Sequence, residues 1–232
     1  MKKMILLAIF SLPFLTGCPW DRPDYGTLAE RLGELEGDDV SEERIDQLKS
    51  DIRRVDREID ETVEKVRNRG TYYKLLGLKY MDYEMWSEGA EAFDGAIQVY
   101  PENSRLHYYR AVCLAQSGVN ESHVARRREL LEAAEFDYLR AVEQDRIYTS
   151  PLWGLAVLYV YEMDRASEGA DVLDRLLKIE PSNEKATFLR AELYRETGNK
   201  MAALELYRKL IVDGKNNDIK EEAELRAAQL GG

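Results

Sequence analysis

Two features of the sequence recur eighty positions further along the chain, and this repetition restricts the possible folds more than any other property. The tetrapeptide Ser-Glu-Gly-Ala at residues 87–90 returns at residues 167–170, and Pro101 returns as Pro181. A fixed period of this kind indicates a repeat architecture, in which similar units stack along one direction. The eighty residues divide into one regular unit of 34 residues and one enlarged unit of 46 residues.

Each unit contains two amphipathic helices in which large and small residues follow a fixed order. Apolar residues three and four positions apart lie on one face of a helix. Small residues let paired helices cross closely, and large ones fill the space between turns. In residues 70–103 the order is carried by Tyr73, Leu76, Gly77, Tyr80, Gly89, Phe93, Ala96 and Pro101. This order resembles the tetratricopeptide repeat, a family of helical hairpins.

The resemblance implies an all-α fold, a right-handed α-solenoid of tetratricopeptide hairpins preceded by an N-terminal helical segment. One hairpin cannot bury both of its faces, so at least three are needed. We predict four units and a capping helix, at residues 70–103, 104–149, 150–183, 184–217 and 218–230. In the enlarged second unit, Val119 to Glu129 is predicted to extend the second helix by about three turns.

The N-terminus carries an export signal and a lipidation motif. Residues 1–17 begin with two lysines and an apolar stretch, Met4 to Leu15. Such a stretch covers about 18 Å as a helix, too little for a hydrocarbon core of about 30 Å. We therefore predict a signal peptide. Leu15-Thr16-Gly17-Cys18 resembles the lipobox of bacterial lipoproteins. The resemblance implies a lipid on Cys18 that holds the mature chain on the inner or outer membrane, facing the periplasm.

Between this anchor and the repeats, residues 18–24 are predicted to form a tether and residues 25–69 a helical segment. Leu28, Leu32 and Leu35 form the stripe of a short helix. A longer helix follows, and Asn68–Gly70 is predicted to break it before the repeats. Its apolar residues alternate three and four apart, as in a coiled-coil seam: Ile45, Leu48, Ile52, Val55, Ile59, Thr62 and Val66.

A parallel homodimer is one possible use of this seam, but the flanking charges oppose it. In register, Arg44 would face Lys49, and Asp51 would face Asp56, so both pairs would repel. We therefore favour docking of the helix onto the first repeat of its own chain, or an antiparallel pair.

The first helix of each hairpin lines the inner surface of such a solenoid, so the helical phase predicts a binding groove there. The predicted groove residues are Leu75, Leu78, Met81, Tyr108, Tyr109, Val112, Leu155, Leu158, Tyr161, Phe188 and Leu189, with Lys74, Arg105, Glu192 and Arg195 on the same faces. A contiguous apolar patch indicates a partner. The alternative is that the groove is filled by the 45–66 helix or the capping helix of the same chain. The carboxylate clamp of some family members is not predicted, because Leu78 and Tyr109 stand where its Asn residues would sit.

Composition and residue types argue against several other functions. The net charge of -11 opposes nucleic-acid binding, because the phosphate backbone requires a cationic face. Two His and two Cys show no metal-ligand spacing, and no phosphate-binding glycine loop is present. We therefore predict no metal, no cofactor and no enzymatic activity. Cys113 is predicted to be packed in the core, and the basic run Arg126–Arg128 to be a solvated helix stem.

These observations predict a lipid-anchored cell-envelope scaffold that binds a protein or peptide partner through an apolar concave groove. The alternative is an accessory lipoprotein of a transport or outer-membrane assembly system, which binds a small hydrophobic ligand or another envelope component. The partner's identity, the choice of membrane and the oligomeric state are left open by the residues alone.

Overall fold

The computed structural model describes residues 41–231, and this part of the chain consists of helices joined by short turns, without a strand. Its nine α-helices are α1 Glu42–Asp82, α2 Trp86–Ile97, α3 Ser104–Val119, α4 Val124–Gln144, α5 Thr149–Val157, α6 Ala166–Ile179, α7 Glu184–Glu196, α8 Lys200–Asp213 and α9 Asn217–Gln229. A π-helical turn, Leu158–Glu162, continues α5. The predicted signal peptide, Cys18, the tether and the short Leu28–Leu35 helix lie outside the described residues.

The chain divides into two compact units, Met1–Glu58 and Ile59–Gly232. In the first unit the described residues begin at Ser41, whose hydroxyl accepts a hydrogen bond from the Arg44 backbone N–H at 3.3 Å. Ser41 is therefore the N-cap of the helix, because a serine oxygen satisfies a donor that has no partner within the helix.

In the second unit, successive helices from α2 to α9 pack against one another in chain order. Short turns between packed helices make neighbours antiparallel, so the unit is a series of helical hairpins. Four apolar clusters fill the spaces between the helices. Asn103 and Asn183 are also eighty positions apart, and they have the same structural role. Asn103 caps α3 and Asn183 caps α7, each through its side-chain oxygen.

The small residues of the repeat lie where helices cross. A Cβ atom added to Gly77 would approach the Phe93 ring to 2.8 Å, and one added to Gly89 would approach the Cys113 sulfur to 2.9 Å. Cβ contacts below about 3 Å are not tolerated in close-packed interiors. Glycine is therefore required at these crossings because a larger side chain would separate the helices.

The predicted break at Asn68–Gly70 is wrong, because α1 passes through these residues without interruption. Gly70 is buried, and an added Cβ would lie 2.7 Å from the Tyr100 ring and 2.8 Å from Val99 Cβ. The Tyr100 hydroxyl also donates to the Arg67 carbonyl at 2.9 Å. Gly70 therefore allows the end of α2 to approach α1, and the glycine marks a helix crossing within the repeat.

The extra residues of the enlarged hairpin lie in α4, as predicted, but the helix begins later than expected. Helix α3 continues to Val119, and α4 starts at Val124 after a turn. The His123 ring caps α4 by accepting from the Arg126 backbone N–H at 3.5 Å. The result is a second helix of 21 residues, against 12 in α2.

Candidate functional site

Three of the predicted groove residues belong to the core instead. Leu155 and Leu158 are each 2% exposed, and Leu189 is 4% exposed. Leu155 and Leu158 pack with Tyr138 and Tyr159, and Leu189 packs with residues of α5 and α6. The prediction is wrong for these three, because their side chains fill the space between hairpins and leave no surface for a partner.

The other eight predicted groove residues keep accessible surface. Leu75 and Tyr161 are 51% and 64% exposed. The remaining six are half-buried, each with one side against a core cluster: Leu78, Met81, Tyr108, Tyr109, Val112 and Phe188. Side chains held in this way are already ordered, so a partner that contacts them would cost little conformational entropy.

Aromatic rings form a continuous cluster at the first helix of the second hairpin. The Tyr108 ring lies 5.4 Å from the rings of Tyr109 and Tyr148, measured between centroids. Tyr109 stacks on the buried Phe93 ring at 5.4 Å, and the buried Tyr138 ring lies 6.3 Å from Tyr108. We call the half-buried residues Tyr108, Tyr109 and Tyr148 the tyrosine patch. Ring pairs at these distances attract each other, so the patch is rigid.

Two hydroxyls of the patch, those of Tyr108 and Tyr148, keep their protons at neutral pH. Burial raises the pKa of Tyr108, and burial together with the neighbouring tyrosines raises the pKa of Tyr148 to about 12. The Arg105 guanidinium is close enough to Tyr148 to act in the opposite direction on its pKa. The patch therefore offers apolar rings with hydroxyl donors beside an exposed cation.

Tyr148 was missed by the sequence analysis. It lies immediately before the first residue of α5, at the N-cap position. Residues outside a helix have no helical phase from which a face can be inferred. The available signal was an aromatic residue that follows Ile147 in the turn between two helices.

Charged side chains of both signs lie on the first helix of the fourth hairpin, close to Tyr161. Burial raises the pKa of Tyr161, and the carboxylates of Glu192 and Glu196 raise it further. Burial also favours the neutral form of Glu192, but hydrogen bonds from Arg195 and Tyr207 favour the carboxylate more strongly and leave its pKa below the usual value. The Arg195 donor lies 2.7 Å from Glu192 Oε2. Glu192 is thus a charged, ordered group close to exposed Tyr161.

A buried ion cluster in the second hairpin is the arrangement nearest to a catalytic dyad. His107 Nδ1 lies 2.9 Å from the Asp137 carboxylate, and its Nε2 lies 2.9 Å from the Pro101 carbonyl. Arg110 donates to Asp137 at 2.6 Å and 2.8 Å. Both ring nitrogens of His107 have partners within the protein, so neither is available to a substrate, and the cluster serves to join α3 to α4.

Between residues 41 and 231 no group of three or more His, Cys, Asp or Glu side chains is arranged to hold a metal ion. No helix in the same range combines the length and apolar character needed to cross a membrane.

Comparison with known sequences supports the repeat assignment. A tetratricopeptide repeat family model matches residues 155–218. A protein of Borreliella burgdorferi described as a TPR repeat-containing protein is 23% identical over 222 residues, covering 95% of this chain and 96% of that protein.

Solved structures show the same fold. The crystal structure of MamA has a TM-score of 0.55 at 15% identity and covers 82% of this chain and 98% of that chain. TTC0263, a thermophilic TPR protein of Thermus thermophilus, has a TM-score of 0.55 at 16% identity and covers 89% of this chain and 95% of that chain. YrrB, described as a TPR protein with an unusual peptide-binding site, has a TM-score of 0.54 at 20% identity and covers 84% of this chain and 96% of that chain. The predicted all-α solenoid of tetratricopeptide hairpins is confirmed by these likenesses.

Proposed function

We propose that this chain is a non-enzymatic scaffold that binds a segment of a partner protein along the inner surface formed by the first helices of its hairpins. The tyrosine patch is the observation that carries the proposal. Tyrosines are enriched among the residues that dominate binding energy, and these three are fixed by ring contacts before a partner arrives. A rigid, half-exposed aromatic surface of this kind suits an apolar segment that it can cover.

Charges beside the apolar surface indicate which segment fits. Arg105 lies near Tyr148 on the side of the first hairpins, whereas the carboxylates of Glu192 and Glu196 lie near Tyr161. Complementary charges increase association rates and fix the direction of a bound chain. The partner segment is therefore expected to carry an acidic residue opposite Arg105 and a basic residue opposite Glu196.

The fold is typical of protein-interaction scaffolds, and it supports the same class of function. YrrB, which shares the fold, is described as having a peptide-binding site. The eight accessible inner-surface residues lie on four different helices, so a bound segment would cross several hairpins. Repeat proteins commonly use such extended surfaces for binding.

We propose further that the scaffold is anchored in the cell envelope by lipid on Cys18. The Leu15-Thr16-Gly17-Cys18 motif and the short apolar leader support this part of the proposal. Growth with a radiolabelled fatty acid should label the wild-type chain and leave the Cys18→Ala variant unlabelled. An unlabelled wild-type chain that fractionates with soluble proteins would contradict the anchor without affecting the groove.

The groove is tested by placing a photo-crosslinking amino acid at Tyr161 in cells that produce the full chain. Tyr83 is the matched control, because it is 76% exposed in the turn after α1, against 64% for Tyr161. We expect one protein adduct from position 161 and none of that mass from position 83. Mass spectrometry of the adduct should identify a segment with the expected charges, and Arg105→Glu should reduce its yield.

Two results would contradict this assignment. Equal adducts from positions 161 and 83 would mean that the contact is not confined to the groove. An absence of adducts, together with one lipid molecule retained per chain in native mass spectrometry, would favour the accessory-lipoprotein alternative.

A further inference from the structure

Helix α1 exposes a long apolar stripe. Between positions 45 and 66, seven aliphatic residues of this helix are between 36% and 60% exposed: Ile45, Leu48, Ile52, Val55, Ile59, Val63 and Val66. All except Val63 occupy the alternating seam positions of a coiled coil. The next seam position is the exposed Arg69, and Tyr73 and Leu76 continue the spacing beyond it. A contiguous stripe of this length indicates an interaction surface.

We propose that α1 pairs with α1 of a second copy of this chain in an antiparallel, two-fold symmetric coiled coil, whose crossing point lies between Asp60 and Glu61. This proposal is independent of the groove and its partner. In this register Ile59 packs against Thr62 of the second copy, and Val55 packs against Val66 of the second copy. Each such layer occurs twice because the interface is symmetric.

Charges beside the seam determine the direction of the pair. In a parallel pair, Arg44 would face Lys49 and Asp51 would face Asp56, which are two repelling contacts on each side. In the antiparallel register, Glu58 of each copy instead faces Lys65 of the other. Asp56 then faces Val63, so no like charges meet near the crossing point.

Charges also select the register among antiparallel alternatives. Moving the crossing point by half a heptad toward the N-terminus would place Asp56 of one copy opposite Asp56 of the other. It would also place Glu58 of one copy opposite Glu58 of the other. Moving it by the same amount toward the C-terminus sets Lys65 against Lys65. Like charges at these flanking positions are destabilising. The register centred between Asp60 and Glu61 therefore combines attraction with the absence of nearby repulsion.

An open cavity near the end of α1 fits the same arrangement. It has a volume of about 490 Å³ and is lined by Lys65, Arg69, Tyr72, Tyr73 and Leu76. Its walls are mainly apolar, although Tyr72 is largely exposed. In the proposed register, Leu48 of the second copy lies opposite Tyr73, and Ile45 of the second copy lies opposite Leu76. Two aliphatic side chains would thus cover the apolar part of this cavity.

A charge-reversal cycle on the full chain, purified in mild detergent, tests the pairing. Sedimentation equilibrium should show a dimer for the wild type. Glu58→Lys or Lys65→Glu alone should weaken dimerisation about tenfold, because each replaces two attractive contacts with two repulsive ones. The double variant should restore wild-type affinity. Arg57→Glu, an exposed change on the opposite face of α1, should leave it unchanged.

Only the proposed register predicts this rescue. In a parallel pair Glu58 would face Val63 and Lys65 would face Gly70, so neither single reversal would matter much. A monomeric wild type at all concentrations would overturn the proposal, and so would a double variant that dimerises more weakly than both single variants. Circular dichroism of each variant would establish that α1 remains helical.

Discussion

Arg190 donates from Nε to Oδ1 of Asp174 at 2.7 Å and so ties α7 to α6 of the preceding hairpin. Eighty positions earlier, Arg110 and Asp94 make the corresponding contact between α3 and α2. The ion pair therefore belongs to the repeat, although neither residue is part of the pattern of aromatic and small residues. The two copies differ in that Arg110 also contacts the fully buried Asp137.

This difference predicts unequal effects on stability. Asp137→Ala removes an acceptor of both His107 and Arg110 and leaves Nδ1 of the buried His107 without a partner, which costs about 3–5 kcal/mol in free energy of unfolding. Asp174→Ala should cost less than about 1 kcal/mol, because pairs with an exposed member are weak. The Asp174 side chain is 46% exposed. Urea unfolding followed by circular dichroism measures both, and similar losses in the two variants would contradict the assigned role of Asp137.

For Gly70→Ala, packing and helix propensity predict opposite changes in the free energy of unfolding. Propensity alone favours alanine over glycine by about 1 kcal/mol within a helix. The approach of Val99 and Tyr100 to Gly70 should outweigh this gain, so we expect a net loss of about 1–3 kcal/mol in the free energy of unfolding. Thr71→Ala, at the exposed neighbouring position, controls for propensity. A stabilising Gly70→Ala would mean that α1 and α2 are less closely packed than described.

The turn between α8 and α9 should loosen in acid. Backbone N–H groups of Lys215 and Asn216 donate to Glu184 at 2.7 Å and 3.0 Å. These hydrogen bonds hold the pKa of Glu184 below its ordinary value of 4.5. A lowered pKa means that the contact contributes fully above that ordinary value and is lost as the pH falls through the lower, folded-state value.

Amide hydrogen exchange measures this loss. Protection of the Lys215 and Asn216 amides should decrease as the pH is lowered below about 4.5, and in Glu184→Ala it should be low at every pH. The Ile219 amide, which donates to the Asn216 side chain at 3.1 Å, is the internal control because its acceptor does not titrate. Equal pH dependence at all three amides would indicate general acid unfolding instead.

The Cys113 thiol should be unreactive in the folded protein. It is fully buried, and burial raises its pKa to about 12. At pH 8 its thiolate fraction, and hence its alkylation rate, should be about a thousandfold below that of a free cysteine. Mass spectrometry of the Cys113 peptide after iodoacetamide treatment, with and without urea, measures the rate. Complete alkylation within minutes in the absence of urea would show that the thiol is accessible.

The repeat pattern predicted the hairpins well because its residues perform a local task. The pattern around Gly77 and Phe93 describes a helix crossing, and such crossings depend on side-chain size alone. The predicted break at Gly70 was wrong for a related reason. A glycine that admits a neighbouring helix and a glycine that ends a helix are identical in sequence, and only the position of Tyr100 distinguishes them.

Part of the candidate site could not be predicted from helical phase. Leu155 and Leu189 lie on the predicted inner faces, but the neighbouring hairpins cover them. Their burial depends on how far one hairpin rotates against the next, which the spacing of apolar residues within a single helix does not specify. The tyrosine patch was predicted in part, through Tyr108 and Tyr109, while Tyr148 joined it from a turn.

The greater length of α4 bears on how such arrays can change over time. Its additional turns run along the helix axis at one end of the hairpin, and α5 and the π-helical turn still pack on the helix. Copies in an array therefore need not be equal in length, provided that growth occurs parallel to the helices. A lineage could lengthen one hairpin to gain new surface at the rim while every other docking contact in the stack is inherited intact.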